Sequence, residues 1–446
     1  MLASLRVANF RLYAIGQILS LLGTWIQRVA QDWLVWQISD GSPVALGLAV
    51  ALQFVPMPVF TLWAGVLADR LDKRTLIIRL QYVVGSCAAL LAVLDLTGAV
   101  QLWHVLALCL ILGCASAVEV PVRHAFVMEI VGRDTVTNAV AVNSIIFNSA
   151  RVAGPAIGGF LILLIGTGWL FALNAASLIP VVITLWLMNP DRFHLDGPDR
   201  TSSYRLRDVV WHACRHRDLS MVLALVLTVG TLGNTFTTSI PVLAGSVYGL
   251  GADGFGLLHT ALAVGTFSGA LLCAWRFTRD GPNHRRFVTA AAVLGVAQLG
   301  AALAPSLVWC VVGLVIAGAG QMVFTLLANA AVQLTVAPGM RGRMMALYLL
   351  LLLGGAPLGA LLAGVLAEHV WPQAPLLLGG AACAVAALIA TGAGYARRGS
   401  GPERYDSERE ESESYESEGY ESEGYESESS VAPASQSSAS EPSTSR

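Results

Sequence analysis

Charge is scarce in this chain. Asp, Glu, Lys and Arg make up 13% of its 446 residues, about half the share of a soluble globular domain, which excludes a water-facing globule around one buried core. Cysteine offers no framework: Cys87, Cys109, Cys114, Cys273, Cys310 and Cys383 fall within apolar runs, Cys214 lies in a polar segment, and no C-x-x-C spacing occurs. Neither a disulfide scaffold nor a thiolate metal site can be read from them, and they are best explained as small residues filling helix contacts. The chain also lacks a G-x-x-x-x-G-K-[ST] loop for ATP phosphates. No nucleophile with its base and no metal-ligand cluster points to an enzyme.

What the chain has in quantity is apolar sequence: 55% of residues are hydrophobic and the mean hydropathy is +0.65. Runs of about 20 apolar residues recur with short breaks, each long enough to cross roughly 30 Å of hydrocarbon as a helix. About twelve are expected, at 11–38, 44–68, 76–97, 102–122, 138–164, 168–189, 219–247, 254–275, 288–305, 308–332, 343–367 and 374–396. Continuous Leu/Ala/Gly-rich runs do not alternate with period two, so a β-barrel is a poor alternative. The first run is too long for a signal-peptide core and is read as a retained helix.

The basic residues orient the runs. Of 27 Lys and Arg, 25 lie at the termini or beside the breaks after even-numbered runs, and none in the breaks after odd-numbered runs. The positive-inside rule then places both termini in the cytoplasm. The two exceptions, Arg28 and Arg151, fall inside runs. Up to residue 398 the chain holds 24 basic and 16 acidic residues, a net +8; the cytoplasmic loops account for it, and no nucleic-acid partner is implied.

Two halves are visible. "AGPAIGG" (153–159) in the fifth run answers "GGAPLGALLAG" (354–364) in the eleventh, and "LADRLDKR" (67–74) answers "WRFTRDGPNHRR" (275–286). An offset of about 200 residues is what two related six-helix bundles would produce. The expected organisation is a first bundle over 1–189, a cytoplasmic linker over 190–218, a second bundle over 219–398 and an acidic Ser/Glu/Tyr-rich tail over 399–446. The tail repeats "YESEG", has no apolar periodicity and cannot bury enough surface to fold, so it is read as disordered.

The stretch "GVLADRLDKRTLI" (65–77) lies where the second run meets the first basic break. Gly65 permits close helix approach, Asp69 can accept hydrogen bonds, and Arg70, Lys73 and Arg74 can pair with carboxylates or anionic lipid. Such a cluster could hold two halves together on one side of a membrane. It resembles the signature loop of the major facilitator superfamily, G-x-L-a-D-r-x-G-r-[KR], with Asp72 in place of the second Gly. Three further stretches, at 9–39, 119–159 and 341–364, resemble the drug-efflux and siderophore-export branch related to enterobactin exporters and macrolide-efflux proteins. Within them Gly154, Pro155, Gly158 and Gly159 resemble the helix-5 motif of exporters, while Ala141 and Ala150 stand where that motif has Gly. Many proton-driven exporters carry an Arg in the fourth helix; aligned on Gly113, that position is Cys109.

The resemblance implies an all-α membrane protein of twelve helices in two pseudo-symmetric bundles, multi-pass in a bacterial cytoplasmic membrane and working as a monomer. It implies export of an amphipathic small molecule by alternating access, as a proton antiporter with no cofactor beyond the proton gradient. Uptake by the same fold, or a non-transporting sensor acting through linker or tail, are the alternatives.

Charges inside the runs are the candidate site, because a charge at mid-bilayer costs about 2.5 to 3.5 kcal/mol and survives by pairing or by lining water. Arg28 and Asp32, spaced i and i+4, share a helix face and are expected to pair. Protonation of Asp32 would then free Arg28. Trp33 and Trp36 read as outer-interface anchors. Glu119 and Arg123 repeat the spacing around Pro121 at the cytoplasmic end of the fourth run and read as an interfacial gate, joined by Arg341 and Arg343 before the eleventh. Arg151 has no acidic neighbour in its own run, so a carboxylate from another helix or an anionic substrate is expected. Gln53, Asn148, Asn234 and Gln321 are candidates for the cavity lining; His259 and His369 read as interfacial.

Overall fold

The structure, a computed structural model, describes residues 4–60, 71–132, 135–189, 193, 206–277, 284–336 and 338–398. Gly65, Asp69 and Arg70 of the signature loop, the side chain of Arg341, most of the linker and the whole tail lie outside the described residues. Everything else is helix, turn or short connection, and no strand occurs among the described residues.

The helices are α1 (Ala8–Ile38), α2 (Pro43–Phe54), α3 (Lys73–Leu96), α4 (Leu102–Val131), α5 (Val136–Leu187), α6 (Leu206–Arg215), α7 (Arg217–Thr228), α8 (Phe236–Val242), α9 (Ala252–Leu272), α10 (His284–Ala302), α11 (Leu307–Thr335), α12 (Pro338–Gly354), α13 (Ala356–His369) and α14 (Ala374–Arg398). Nine described segments are long and apolar enough to cross a bilayer, and one of them, Asn138–Leu187, has 50 residues, enough to cross twice at 1.5 Å per residue. Gly166, at φ 77° and ψ 173°, breaks α5 into limbs 136–165 and 167–187, matching the expected fifth and sixth runs. The seventh run is interrupted by π-helical turns at Val229–Gly233 and Leu243–Val247, and the eleventh is divided at Gly355.

The fourth run does not stop at residue 122. It continues to Val131 because Glu119 and Arg123, which looked like a polar end, have partners: the Gln81 amide donates to Glu119 at 3.1 Å and Arg123 donates to Gln17 at 3.3 Å. Asp72, the departure from the signature loop, caps α3 by accepting from the Thr75 amide at 2.9 Å. A carboxylate is among the better N-cap groups, so the substitution trades a flexible turn for a fixed helix start.

Residues Met1–Thr391 form one compact unit. One end of it, here the basic end, carries Lys73, Arg74 and Arg123; the other, the tryptophan end, carries Trp33 and Trp36. At the basic end Phe10, Tyr13, Leu76, Ile77, Phe126, Ile130 and Leu185 pack into a core whose described members all precede residue 194. The larger core draws on both halves. Its crossings are close because small residues face backbone: a side chain on Gly47 would collide with the Ala360 carbonyl, and one on Gly159 with the Gly256 backbone. Without a hydrophobic drive between helices in lipid, such backbone approach is what holds them together. The halves therefore meet toward the tryptophan end and have separate cores at the basic end.

Candidate functional site

Arg28 sits in the middle of α1, a helix packed against both limbs of α5: a side chain on Gly23 would meet Asn174 and Ser177, and one on Gly158 would meet Ile26. Gly154 leaves the space that the Trp25 backbone and Cβ occupy, so the helix-5 motif lets α1 approach α5 one turn before Arg28. The guanidinium lies over that indole, with its central carbon 4.5 Å from the ring centroid, and 5.8 Å from the Phe54 ring of α2. Phe147 of α5 meets Trp25 edge-on at 6.0 Å. A cation over two aromatic faces is favoured by about 0.5 to 2 kcal/mol per contact.

The expected pairing is not made. Arg28 and Asp32 form no ion pair in the structure, and the described residues offer the Asp32 carboxylate no hydrogen bond. The spacing puts the two groups on one face, but the guanidinium lies over Trp25 and Phe54 instead. Asp32 is 7% exposed and lies within electrostatic reach of Cys109 on α4. Arg151, on the first limb of α5, is half-buried; it too lacks an ion pair or hydrogen bond among the described residues. It acts electrostatically on Arg28 and on the buried Tyr348 of α12.

The described residues among those expected to form a gate lie at the basic end. Lys73 meets Glu129 at 2.5 Å, Arg123 meets Glu119 at 3.4 Å, and Arg74 donates to the carbonyls of Leu185 and Trp186 at 2.8 and 3.0 Å. These bonds tie α3 to α4 and to the second limb of α5. All of these bonds lie within the first half and brace one bundle. Arg343, at the start of α12, is half-buried.

Of the polar candidates, Gln321 and Asn234 come together, the Gln321 amide donating to Asn234 Oδ1 at 2.8 Å. Asn148 bonds only its own helix, at the Ser144 carbonyl, and the Gln53 carbonyl packs where Gly113 lets α2 approach α4. Gly159 and Gly256 meet across the halves, and Pro155 lies between Gly154 and Gly158 on the same limb. Trp33 and Trp36 are not lipid-facing anchors: Trp33 stacks on Phe255 of α9 at 4.8 Å, and Trp36 fills the space that Gly245 leaves open. His259 is buried beside Phe255, not interfacial; His369 is exposed. Sequence reading missed Trp25, Phe54, Phe147 and Tyr348. The available signal was Trp25 three residues before Arg28, one helical turn away.

A family model described as "Transmembrane secretion effector" matches residues 1–400. The chain belongs to that family of major facilitators. A staphyloferrin A transporter from Staphylococcus aureus is 28% identical over 55% of this chain, and the match spans only 61% of that relative's length. The multidrug efflux pump Tap from Mycolicibacterium fortuitum is 27% identical over 80% of this chain and 88% of the relative. An enterobactin exporter from Salmonella choleraesuis is 25% identical over 85% and 91%. Among solved structures, the nucleoside transporter NupG superposes with a TM-score of 0.66 at 13% identity, covering 86% of this chain and 99% of that one. A bacterial homologue of the lysosomal transporter Spinster, inward-facing and occupied, gives 0.66 at 16% identity over 87% and 97%. The structural likeness establishes the fold; the family makes the chain a membrane transporter and not an enzyme.

Proposed function

We propose that this major facilitator exports an amphipathic small molecule from a bacterial cytoplasm, as a monomer, in exchange for protons. The drug pumps and siderophore exporters among its relatives support the direction. The crowding of basic residues at one end supports placing that end, with both termini, in the cytoplasm. On that placement the molecule is closed at its outer, tryptophan end and its halves have separate cores at the cytoplasmic end, an inward-facing state of an alternating-access cycle.

The observation that carries the coupling is a carboxylate within the membrane span, Asp32, with no ion pair or hydrogen bond among the described residues, one turn from a guanidinium held by aromatic rings. A charged Asp32 draws Arg28 toward it along the shared face; a protonated Asp32 releases it to Trp25 and Phe54. Because Trp25 is seated on Gly154, the two arrangements differ in how α1 packs on α5, and a proton can thereby bias one conformation over the other. Purified protein in liposomes with an imposed pH gradient should expel an amphipathic dye, and a protonophore should abolish this. The Asp32→Asn variant should retain downhill exchange and lose the response to the gradient. Undiminished proton-driven transport in that variant would end the proposal.

A further inference from the structure

Arg28 and Arg151 say something about the cargo that membership of the family does not. They come from different helices that meet here, since Trp25 beneath Arg28 packs against Gly154 and Phe147, three residues after and four before Arg151, and they take part in no ion pair among the described residues. Asp32 is the carboxylate that acts on Arg28. The group of three thus carries a net +1 with Asp32 ionised. Both arginines are half-buried, deep in the fold yet reachable. Uncompensated cations at such depth are sustained where an anion completes them.

The surroundings restrict that anion further. Trp25 and Phe54 lie against the Arg28 guanidinium, and Phe147 stands edge-on to Trp25 and is 37% exposed. Guanidinium forks match the planar geometry of a carboxylate, which can accept two parallel hydrogen bonds from each. The rings beside them offer a face to a flat apolar body.

We infer that Arg28 and Arg151 bind the carboxylate end of the transported molecule, whose aromatic body lies against Trp25, Phe54 and Phe147. The inference rests on the export reading only in naming the ligand as cargo. A cationic amphiphile meets a site of its own sign and is excluded from it. Export of an anion while a proton enters moves positive charge inward on both legs, so an inside-negative potential drives the exchange together with the pH gradient.

The test uses the full chain in detergent and three probes of one shape, measured by equilibrium dialysis: 2-naphthoate, 2-naphthylmethanol and 2-naphthylmethylamine. Naphthoate should bind at least about tenfold more tightly than the alcohol, the amine no more tightly than the alcohol. R28Q and R151Q should each remove the preference for the acid while alcohol binding stays, which also shows that the variants are folded; R151K should keep part of the preference. Equal binding of acid and alcohol, tightest binding of the amine, no saturable naphthoate binding, or an unchanged preference in both Gln variants would overturn the inference. Proteoliposomes separate it from the export reading. Charge-selective binding without outward flux sinks export alone, and proton-driven export indifferent to the charge of the probe sinks the anion site alone.

Discussion

At Gly166 the backbone of α5 turns through φ 77° and ψ 173°, and nothing lies within 4 Å of where a side chain would stand. Only glycine adopts that region without strain of about 1 to 3 kcal/mol. Gly166→Ala should therefore lower the unfolding free energy by roughly that amount with no steric contribution. Gly300→Ala in α10, equally free of neighbours but in ordinary helical geometry, should raise it by up to about 1 kcal/mol. Chemical unfolding in detergent compares the two. Arg28 illustrates how far single residues were legible. Its rarity within an apolar run and its spacing from Asp32 marked it, and the helix period put the two on one face. Its partner could not be read, because the choice between a carboxylate on its own helix and rings from α1 and α2 is made by a contact with Phe54 that no local spacing encodes.

Helices were legible where one periodicity ran between clear stops. The expected ends at 164 and 168 bracket the Gly166 break. The fourth run was read nine residues short of Val131 because Glu119 and Arg123 resemble a helix end until Gln81 and Gln17 are brought to them by α3 and α1. Between elements, one link at the tryptophan end joins the halves. Glu368, near the end of α13, accepts from the Ser42 hydroxyl at 2.7 Å and the Val44 amide at 3.0 Å. It thereby caps the start of α2, where the helix dipole favours a negative charge. Gly364 lets α13 approach Pro43 beside it. Glu368→Gln keeps the shape and removes the charge, so the tryptophan end should part several-fold more often. Spin labels at Gln37 and Val370, both exposed, should then show a larger long-distance population. An unchanged distance distribution would leave the closure to packing alone.

For the whole molecule, the paired repeats and the placement of basic residues anticipated two halves, while the contact of their tryptophan ends was hidden. Trp33 and Trp36 have the sequence signature of lipid-interface anchors, and only the arrival of Phe255 and Gly245 from the second half turns them into a seam. Sidedness can be settled with groups the chain already has. Cys214, on α6, is exposed, whereas the other six cysteines are buried or half-buried within apolar helices. If the basic end faces the cytoplasm, a membrane-impermeant maleimide should leave Cys214 unlabelled in intact cells and label it in inside-out vesicles. The turn after α3 lies at the opposite end, so Ala99→Cys in a Cys214→Ser background should show the reverse pattern. Labelling of Cys214 from outside would invert the assignment of the closed end, and the structure would then be the outward-open partner of the cycle, with Arg28 and Arg151 reached from the exterior.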